Sequence, residues 1–439
     1  MENLYKMNSK NKYLILFALL LISSNLYSQK SMKIEDAIAI GLKNNYDIQL
    51  GKIDVNISKT NNTAGNAGMN PNINLNVIPS YTLYNTHLEY SNGNISDNSA
   101  NGTFALTSGF GLNWTVFDGF KMFVTKERLN EIEKLGELSY QNTIQNAVAN
   151  ITTAFYDIIR QKQILKNIQE IKSLAKERLI INETRFSSGL SAKTDLLQTQ
   201  IDYNTHCENE LLQENTIKEA KRNLLELINF NEQDIEIDGE FVFSEIDSVA
   251  SEKAVLENNY QLSILQKQME IAKLSMKETE ALDLPTISLN AGYNFNITQT
   301  STGLVNYTRG TGPQIGAVLT YPIYLGGNIT RQQDIANLNY ISYKLEYDQI
   351  KAKLKNDFAN ALANYNTQKK LLKIEEETKL FAKENLFLSI ERLKLSQTTS
   401  LELRDAQLMY ENSLTRFSNI GYNLKAVETK LKLLMGKLQ

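Results

Sequence analysis

Residue types that carry catalysis or ligate metals are scarce in this chain. Among 439 residues there are two histidines, His87 and His206, and a single cysteine, Cys207. That inventory excludes a disulfide framework and a Cys/His zinc site. His206 and Cys207 are adjacent in a stretch that reads as helix, where neighbouring side chains point apart. A Cys–His nucleophile needs both groups within hydrogen-bond reach, so this pair is not one. Gly109 and Gly111 flank Phe110 inside a strand pattern and open no helix, so they form no phosphate loop. Lys and Arg total 46 against 49 Asp and Glu, a net charge of −3, which lacks the basic excess of a nucleic-acid binder. The expectation is a non-enzyme with no catalytic residue, no cofactor and no metal site. Its function must then lie in the elements themselves.

The first element is an address. Lys10 and Lys12 precede an uninterrupted apolar run over 13–22, and small and polar residues follow to Ser28. A basic flank, a short apolar core and a small residue before the cut predict a secretory signal over 1–28. No later apolar run reaches the 18 residues of a membrane-spanning helix. The mature chain is therefore expected outside the cytoplasm, either in an aqueous compartment or in an outer membrane as a β-barrel.

The rest of the chain is written twice. Leu42, Asn44, Asn45 and Tyr46 recur as Leu256, Asn258, Asn259 and Tyr260, an offset of 214 that also carries Pro71 onto Pro285. Phe117 and Gly119 are matched by Tyr324 and Gly326 at an offset of 207, which holds without a gap over Ala175–Asn229 against Ala382–Gly436, pairing Arg185 with Arg392 and Leu227 with Leu434. Such a long period marks duplication of a half-protein, not a solenoid repeat. Each half opens with a helical stretch, continues through a β-hairpin and closes with a very long helix and a further helix. The windows 137–188, 190–238 and 328–420 contain neither Gly nor Pro, which leaves them free to be helical. Helices are expected at about 32–68, 121–187 and 190–229 in the first repeat (29–238), and at about 247–282, 327–395 and 398–436 in the second (239–439).

Strands are expected at about 72–84, 103–117, 286–297 and 314–325. In the first, Ile73, Leu75, Val77 and Tyr81 alternate with Asn72, Asn74, Asn76 and Ser80. Period-two alternation makes one apolar and one polar face. Strands this long, with aromatics toward their ends, fit a barrel that crosses a membrane. Four strands cannot close such a barrel, whose smallest form has about eight. An open edge in lipid leaves backbone groups unsatisfied, so a membrane reading requires oligomerisation. The polar segments 85–102 and 298–312 suit longer, external hairpin ends.

In order along the chain stand Ile34, Glu35, Asp36, Ala37, Asn44 and Asn45 at the start, then Leu284, Pro285, Leu289, Ala291, Gly292 and Tyr293 at the third strand. The strand-to-helix corners are Phe117, Asp118 and Gly119 and, in the second half, Tyr324, Gly326 and Gly327. Together, inside the duplicated plan, these resemble the TolC-like outer-membrane factor family, over nearly all of the mature chain. The resemblance implies an α+β membrane protein that forms a homotrimer, with a 12-stranded β-barrel in the outer membrane continued by an α-helical periplasmic tunnel. It implies the exit duct of a tripartite efflux or type I secretion system, docked to a periplasmic adaptor protein and an inner-membrane pump. It also places an acidic constriction at the periplasmic tip, which falls here on Glu402 and Asp405. Three copies would gather six carboxylates, and such rings attract cations. Arg404 and Asp195 are candidates for an ion pair that ties the closed state. Adaptor contacts are expected near the tip turns, at Gly189 and Ser191 and at Ser396 and Thr398. Without the resemblance, Glu402 and Asp405 read as ordinary solvated helix residues. The alternative for the whole chain is a secreted coiled-coil structural or adhesive envelope protein without a channel.

Overall fold

The computed structural model describes residues 31–438 apart from 232–234, 247, 303–304 and 396. The expected signal segment lies outside the described residues. In chain order the elements are β1 (Ser31–Met32), α1 (Ile34–Asn44), α2 (Tyr46–Asn61), β2 (Asn72–Glu89), β3 (Ile95–Asp118), α3 (Lys121–Ser187) and α4 (Lys193–Leu227). The second half has β4 (Glu236–Ile237), α5 (Ser248–Asn258), α6 (Tyr260–Glu280), β5 (Thr286–Thr300), β6 (Tyr307–Thr320), α7 (Asn328–Lys394) and α8 (Ser400–Leu434). α3 and α7 each have 67 residues, about 100 Å of helix.

The opening stretches at 32–68 and 247–282 are not continuous helices. Each breaks at the second asparagine of the repeated motif, Asn45 or Asn259, and the chain turns polar from 62 before β2. Asn45 accepts from the backbone N–H of Ile48 at 3.1 Å and donates to the carbonyl of Leu227 at 2.8 Å. Asn259 does the same with Leu262 at 3.1 Å and Leu434 at 3.0 Å. A short amide caps the new helix and fastens it to the end of α4 or α8, satisfying two orphan backbone groups at once.

The four long strands form one antiparallel sheet in the order β2-β3-β5-β6. Its register aligns Ile73, Leu112, Ala291 and Ile315 in one row, and Leu75, Phe110, Tyr293 and Pro313 in the next. The opposite face aligns Asn72, Asn113, Asn290 and Gly316, then Asn76, Gly109, Asn294 and Gly312. One face is therefore apolar and the other amide-rich. The strand expected at 314–325 instead spans Tyr307–Thr320, because Pro322 has no N–H to donate and the chain must turn toward Gly326. β2 and β3 run further than expected, through an irregularity between Tyr84 and Thr86, and leave 90–94 as the hairpin turn.

The corners into the long helices are built alike. Gly119 and Phe120 have φ of 71° and 68°, and Gly326 and Gly327 have 64° and 73°. Two successive left-handed residues swing the strand direction into a helix axis. Asp118 then accepts from the N–H of Met122 at 2.9 Å, an acid at a helix start. Gly119 is needed on steric grounds too, since a Cβ there would lie 2.6 Å from Leu284 Cβ.

Helices pack side by side in two rows. Toward the sheet the order is α2-α3-α6-α7, and toward the far tip it is α4-α3-α8-α7. Between the rows lies an apolar belt. Ile151, Phe155 and Ile158 on α3 pack there with Ala37, Leu224, Ile228 and the short β1/β4 pair. Their spacing of four and three puts them on one helix face, and each fully buried side chain contributes about 1.5–3 kcal/mol.

Candidate functional site: the helical tip

The end of the molecule remote from the sheet carries two turns. α3 ends in a turn in which Gly189, at φ 71°, donates to the carbonyl of Phe186, and Leu190 donates to that of Arg185. Beyond it the Ser191 hydroxyl is buried without a hydrogen-bond partner among the described residues. In the second turn Thr399 caps α8 by accepting from the N–H of Glu402 at 3.2 Å, and the Thr398 hydroxyl donates to the Glu402 carboxylate. Ser396 lies outside the described residues. The repeated arginines close these turns. Arg185 donates to the carbonyl of Leu190 at 3.4 Å, and Arg392 to that of its repeat partner Gln397 at 3.3 Å.

On α8, Leu403, Ala406 and Tyr410 are buried against Ile171, Leu386, Ile390 and Leu393. Glu402 and Asp405 consequently point away from that seam, and both are exposed. Arg404 is half-buried, with Nε 3.6 Å from Asp202. Among the described residues its ion pair within one chain is with Asp202 and not with Asp195. Asp195 sits two turns nearer the tip at the start of α4, where it is the first-turn acid.

Asp202 belongs to a polar cluster that periodicity alone does not single out. Arg178 on α3 is almost wholly buried, and it donates to the Asp202 carboxylate and, at 3.1 Å, to Gln407 Oε1. Gln407 Nε2 lies 3.4 Å from His206 Nε2. One turn toward the tip, Asn182 donates to Thr199 at 2.7 Å and to Ser400 at 2.9 Å. The cluster joins α4, α3 and α8 across a groove of about 320 Å³ lined by Ile201, Asp202, His206, Arg404, Gln407 and Glu411. Farther from the tip, Tyr410 donates to Glu170 at 2.8 Å. Its phenol is pushed well above the usual range, by burial first and then by the Glu170 carboxylate. The sequence signal for this cluster is a set of charged and amide residues at seam positions that apolar residues would otherwise fill.

Both rows of helices end in apolar stripes without partners. Tyr46, Leu50, Ile53 and Ile57 on α2 are exposed, as are Leu338 and Leu345 on α7. Nearer the tip, Leu197, Ile201, Leu211 and Leu212 on α4 and Phe381, Phe387 and Leu388 on α7 are exposed as well. The sheet likewise ends in two open edges, β2 and β6. Among the described residues no cluster of three or more His, Cys, Asp or Glu is placed to hold a metal ion, and no helix is long and apolar enough to cross a membrane.

The sequence profile of the outer membrane efflux protein family matches residues 38–229 and 253–437, one segment in each half. The chain is 22% identical over 354 residues to the outer membrane protein TolC of Vibrio cholerae, covering 79% of this chain and 80% of that protein. It is 21% identical to Escherichia coli TolC, covering 80% and 73%. Its fold is similar to the Campylobacter jejuni CmeC outer membrane channel, with a TM-score of 0.78 at 17% identity, covering 92% of this chain and 85% of that one. It is similar also to Vibrio cholerae VceC, with a TM-score of 0.75 at 15% identity and coverage of 92% and 96%. A profile that spans both repeats, on a sheet and helix rows of this form, means that the chain belongs to the outer membrane efflux protein family, the TolC-type channel proteins of the outer membrane.

Proposed function

We propose that three copies of this chain form a passive exit duct of a tripartite efflux or type I secretion system. The observation that carries the reading is that every layer ends unpaired at the same two flanks. The sheet has two open edges, and both helix rows have apolar stripes at their ends. Joining copies flank to flank satisfies all of these at once. Backbone groups at β2 and β6 pair, which lipid demands, and the stripes on α2 and α4 cover those on α7. Three sheets of four strands make a 12-stranded barrel with its apolar face to lipid and its amide face to the lumen, and the helix rows continue it as a tunnel. The tip turns around Gly189, Ser191, Ser396 and Thr398 are where an adaptor protein docks, and an inner-membrane pump supplies the energy.

In this assembly Glu402 and Asp405 face the axis near the tip, where three copies crowd six carboxylates into a cation-attracting constriction. Arg404, held to Asp202 within its own chain, backs that ring. The test is single-channel conductance of the detergent-purified protein in a planar bilayer, comparing wild type with Glu402→Ala/Asp405→Ala. The expected result is small cation-selective openings that enlarge or lose selectivity in the variant. Unchanged conductance removes the gate and keeps the duct. No conductance, from a protein that stays soluble without detergent, overturns both.

A further inference from the structure

Where all four strands pair, the apolar face of the sheet carries one charged side chain. Along β2 and β3 the acids and the histidine, His87, Glu89, Asp97 and Asp118, lie within two residues of a strand end, and β5 has no charged residue. Arg309, the third residue of β6, alone among the charged residues stands in a row that runs through all four strands, with Pro79, Leu106 and Ile297. It is exposed, and its guanidinium lies over the ring of Phe295, 5.2 Å from the centroid. Among the described residues no carboxylate lies within ion-pair distance of it, so the aromatic contact holds the charge on the apolar face without neutralising it.

The depth of this charge points to its partner. From Leu319, at the helix end of the apolar band, Arg309 is ten residues along β6. At about 3.4 Å per residue and about 40° of tilt, that is roughly 26 Å of height, the thickness of a barrel's lipid-facing band. The next row outward holds Tyr81, Phe104, Gln299 and Tyr307, the aromatic and polar mixture of an interfacial girdle. An unpaired arginine at this level meets lipid headgroups, and its planar fork suits phosphate.

We propose that Arg309, seated on Phe295, binds the phosphate of an anionic lipid headgroup in the leaflet facing the exterior. The proposal rests on the membrane reading given above. The probe is native mass spectrometry of the detergent-purified protein with phosphatidylglycerol or phosphatidylcholine added. Wild type should retain phosphatidylglycerol about fivefold better than phosphatidylcholine, the scale of one basic residue near an anionic surface. Arg309→Gln should fall to the phosphatidylcholine level, and Arg309→Lys should keep part of the preference. Equal retention of phosphatidylglycerol by wild type and Arg309→Gln overturns the site. Displacement of the lipid by millimolar inorganic phosphate also overturns it, in favour of a free-anion site. If Arg309→Gln does not fold, the wild type alone decides. Its phosphatidylglycerol preference must shrink as salt rises from about 50 to 500 mM, and a salt-independent preference refutes the ionic contact. A protein that stays in solution without detergent and takes up neither lipid refutes the membrane reading itself.

Discussion

Replacing Glu428 by alanine should free the segment 241–246, which links the two halves, from α8. The Glu428 side chain is 1% exposed, and its carboxylate lies 3.1 Å from Lys425 Nζ and 2.7 Å from Lys432 Nζ. It accepts the backbone N–H of Ser244 at 3.2 Å, while Lys425 donates to the carbonyl of Val242 at 2.6 Å. Tyr365 donates to the carbonyl of Ser244 at 2.8 Å. Removing one partner from a buried pair costs about 3–5 kcal/mol, because the other charge stays buried. Lys425 is that charge, and burial already lowers its pKa against the pull of Glu428. At about 1.4 kcal/mol per decade, local opening should rise by two to three orders of magnitude. Hydrogen exchange read by mass spectrometry on peptides covering 241–246 and 421–434 measures this. Glu245→Ala is the control, since the Lys369–Glu245 pair is largely exposed and worth about 0–1 kcal/mol. The pH dependence follows. Burial pushes the Glu428 carboxyl up, but the Lys432 hydrogen bond, the Lys425 charge and the Ser244 N–H outweigh it and leave it below 4.5. A depressed folded-state value means the anchoring is complete above the unfolded-state pKa and lost as pH falls through the folded one. Wild type should lose protection in that acid window, and the alanine variant should lack the step. Exchange in Glu428→Ala within threefold of wild type, or no larger than in Glu245→Ala, would refute the reasoning.

The repeated caps and corners give two further tests. Asn45→Ala and Asn259→Ala should each cost about 1–2 kcal/mol, and the double variant should be additive because the caps share no partner. Thermal unfolding followed by circular dichroism reads this, and a neutral single variant would mean the amide is not the fastener. Gly119→Ala should cost more than Gly326→Ala. Both residues have positive φ, worth about 1–2 kcal/mol against a side chain, but only at Gly119 would the Cβ meet other atoms. Equal unfolding temperatures for the two variants would contradict that difference.

Much of this architecture is legible because it is duplicated. The offset of 207 pairs Arg185 with Arg392, and both arginines close a tip turn through the carbonyl five residues on. The offset of 214 pairs Asn45 with Asn259, but the pairing does not disclose that each asparagine breaks its helix. That break depends on the carbonyl of Leu227 or Leu434, brought close only by tertiary folding. Strand ends differ from the sequence expectation for a similar reason. The residues at 85–89 and 95–102 are polar and read as loop, yet their backbones pair across the hairpin, where side-chain hydrophobicity carries no signal. Arg178 and Asp202 are not legible as a site in the sequence because charged residues on helices ordinarily face water, and only the packing of α3 between α4 and α8 encloses them.

How the helices are fastened differs between the belt and the tip, and the difference bears on where the duct could open. In the belt most of the buried polar contacts between elements reach backbone, the Glu428 ion pairs with Lys425 and Lys432 lying within α8 itself. Asn45, Asn259, Gln145 and Lys425 each donate to a main-chain carbonyl of another element. Such bonds cannot be exchanged without unravelling a helix end or a linker. Toward the tip the bonds are mostly between side chains: Asn167 to Ser418, Arg178 to Gln407, Asn182 to Thr199 and Ser400, and Tyr410 to Glu170. A close-packed apolar seam has few arrangements of equal density, so sliding it opens voids. A seam of side-chain hydrogen bonds can change partners by rotamer moves while each polar group stays satisfied, which is what a two-state element requires. The belt is therefore suited to hold its geometry while the tip moves. The exposed carboxylates of Glu402 and Asp405 sit on the helix whose inner face carries the exchangeable bonds, so in the proposed trimer their mutual repulsion would act on the part of the wall least committed to one arrangement.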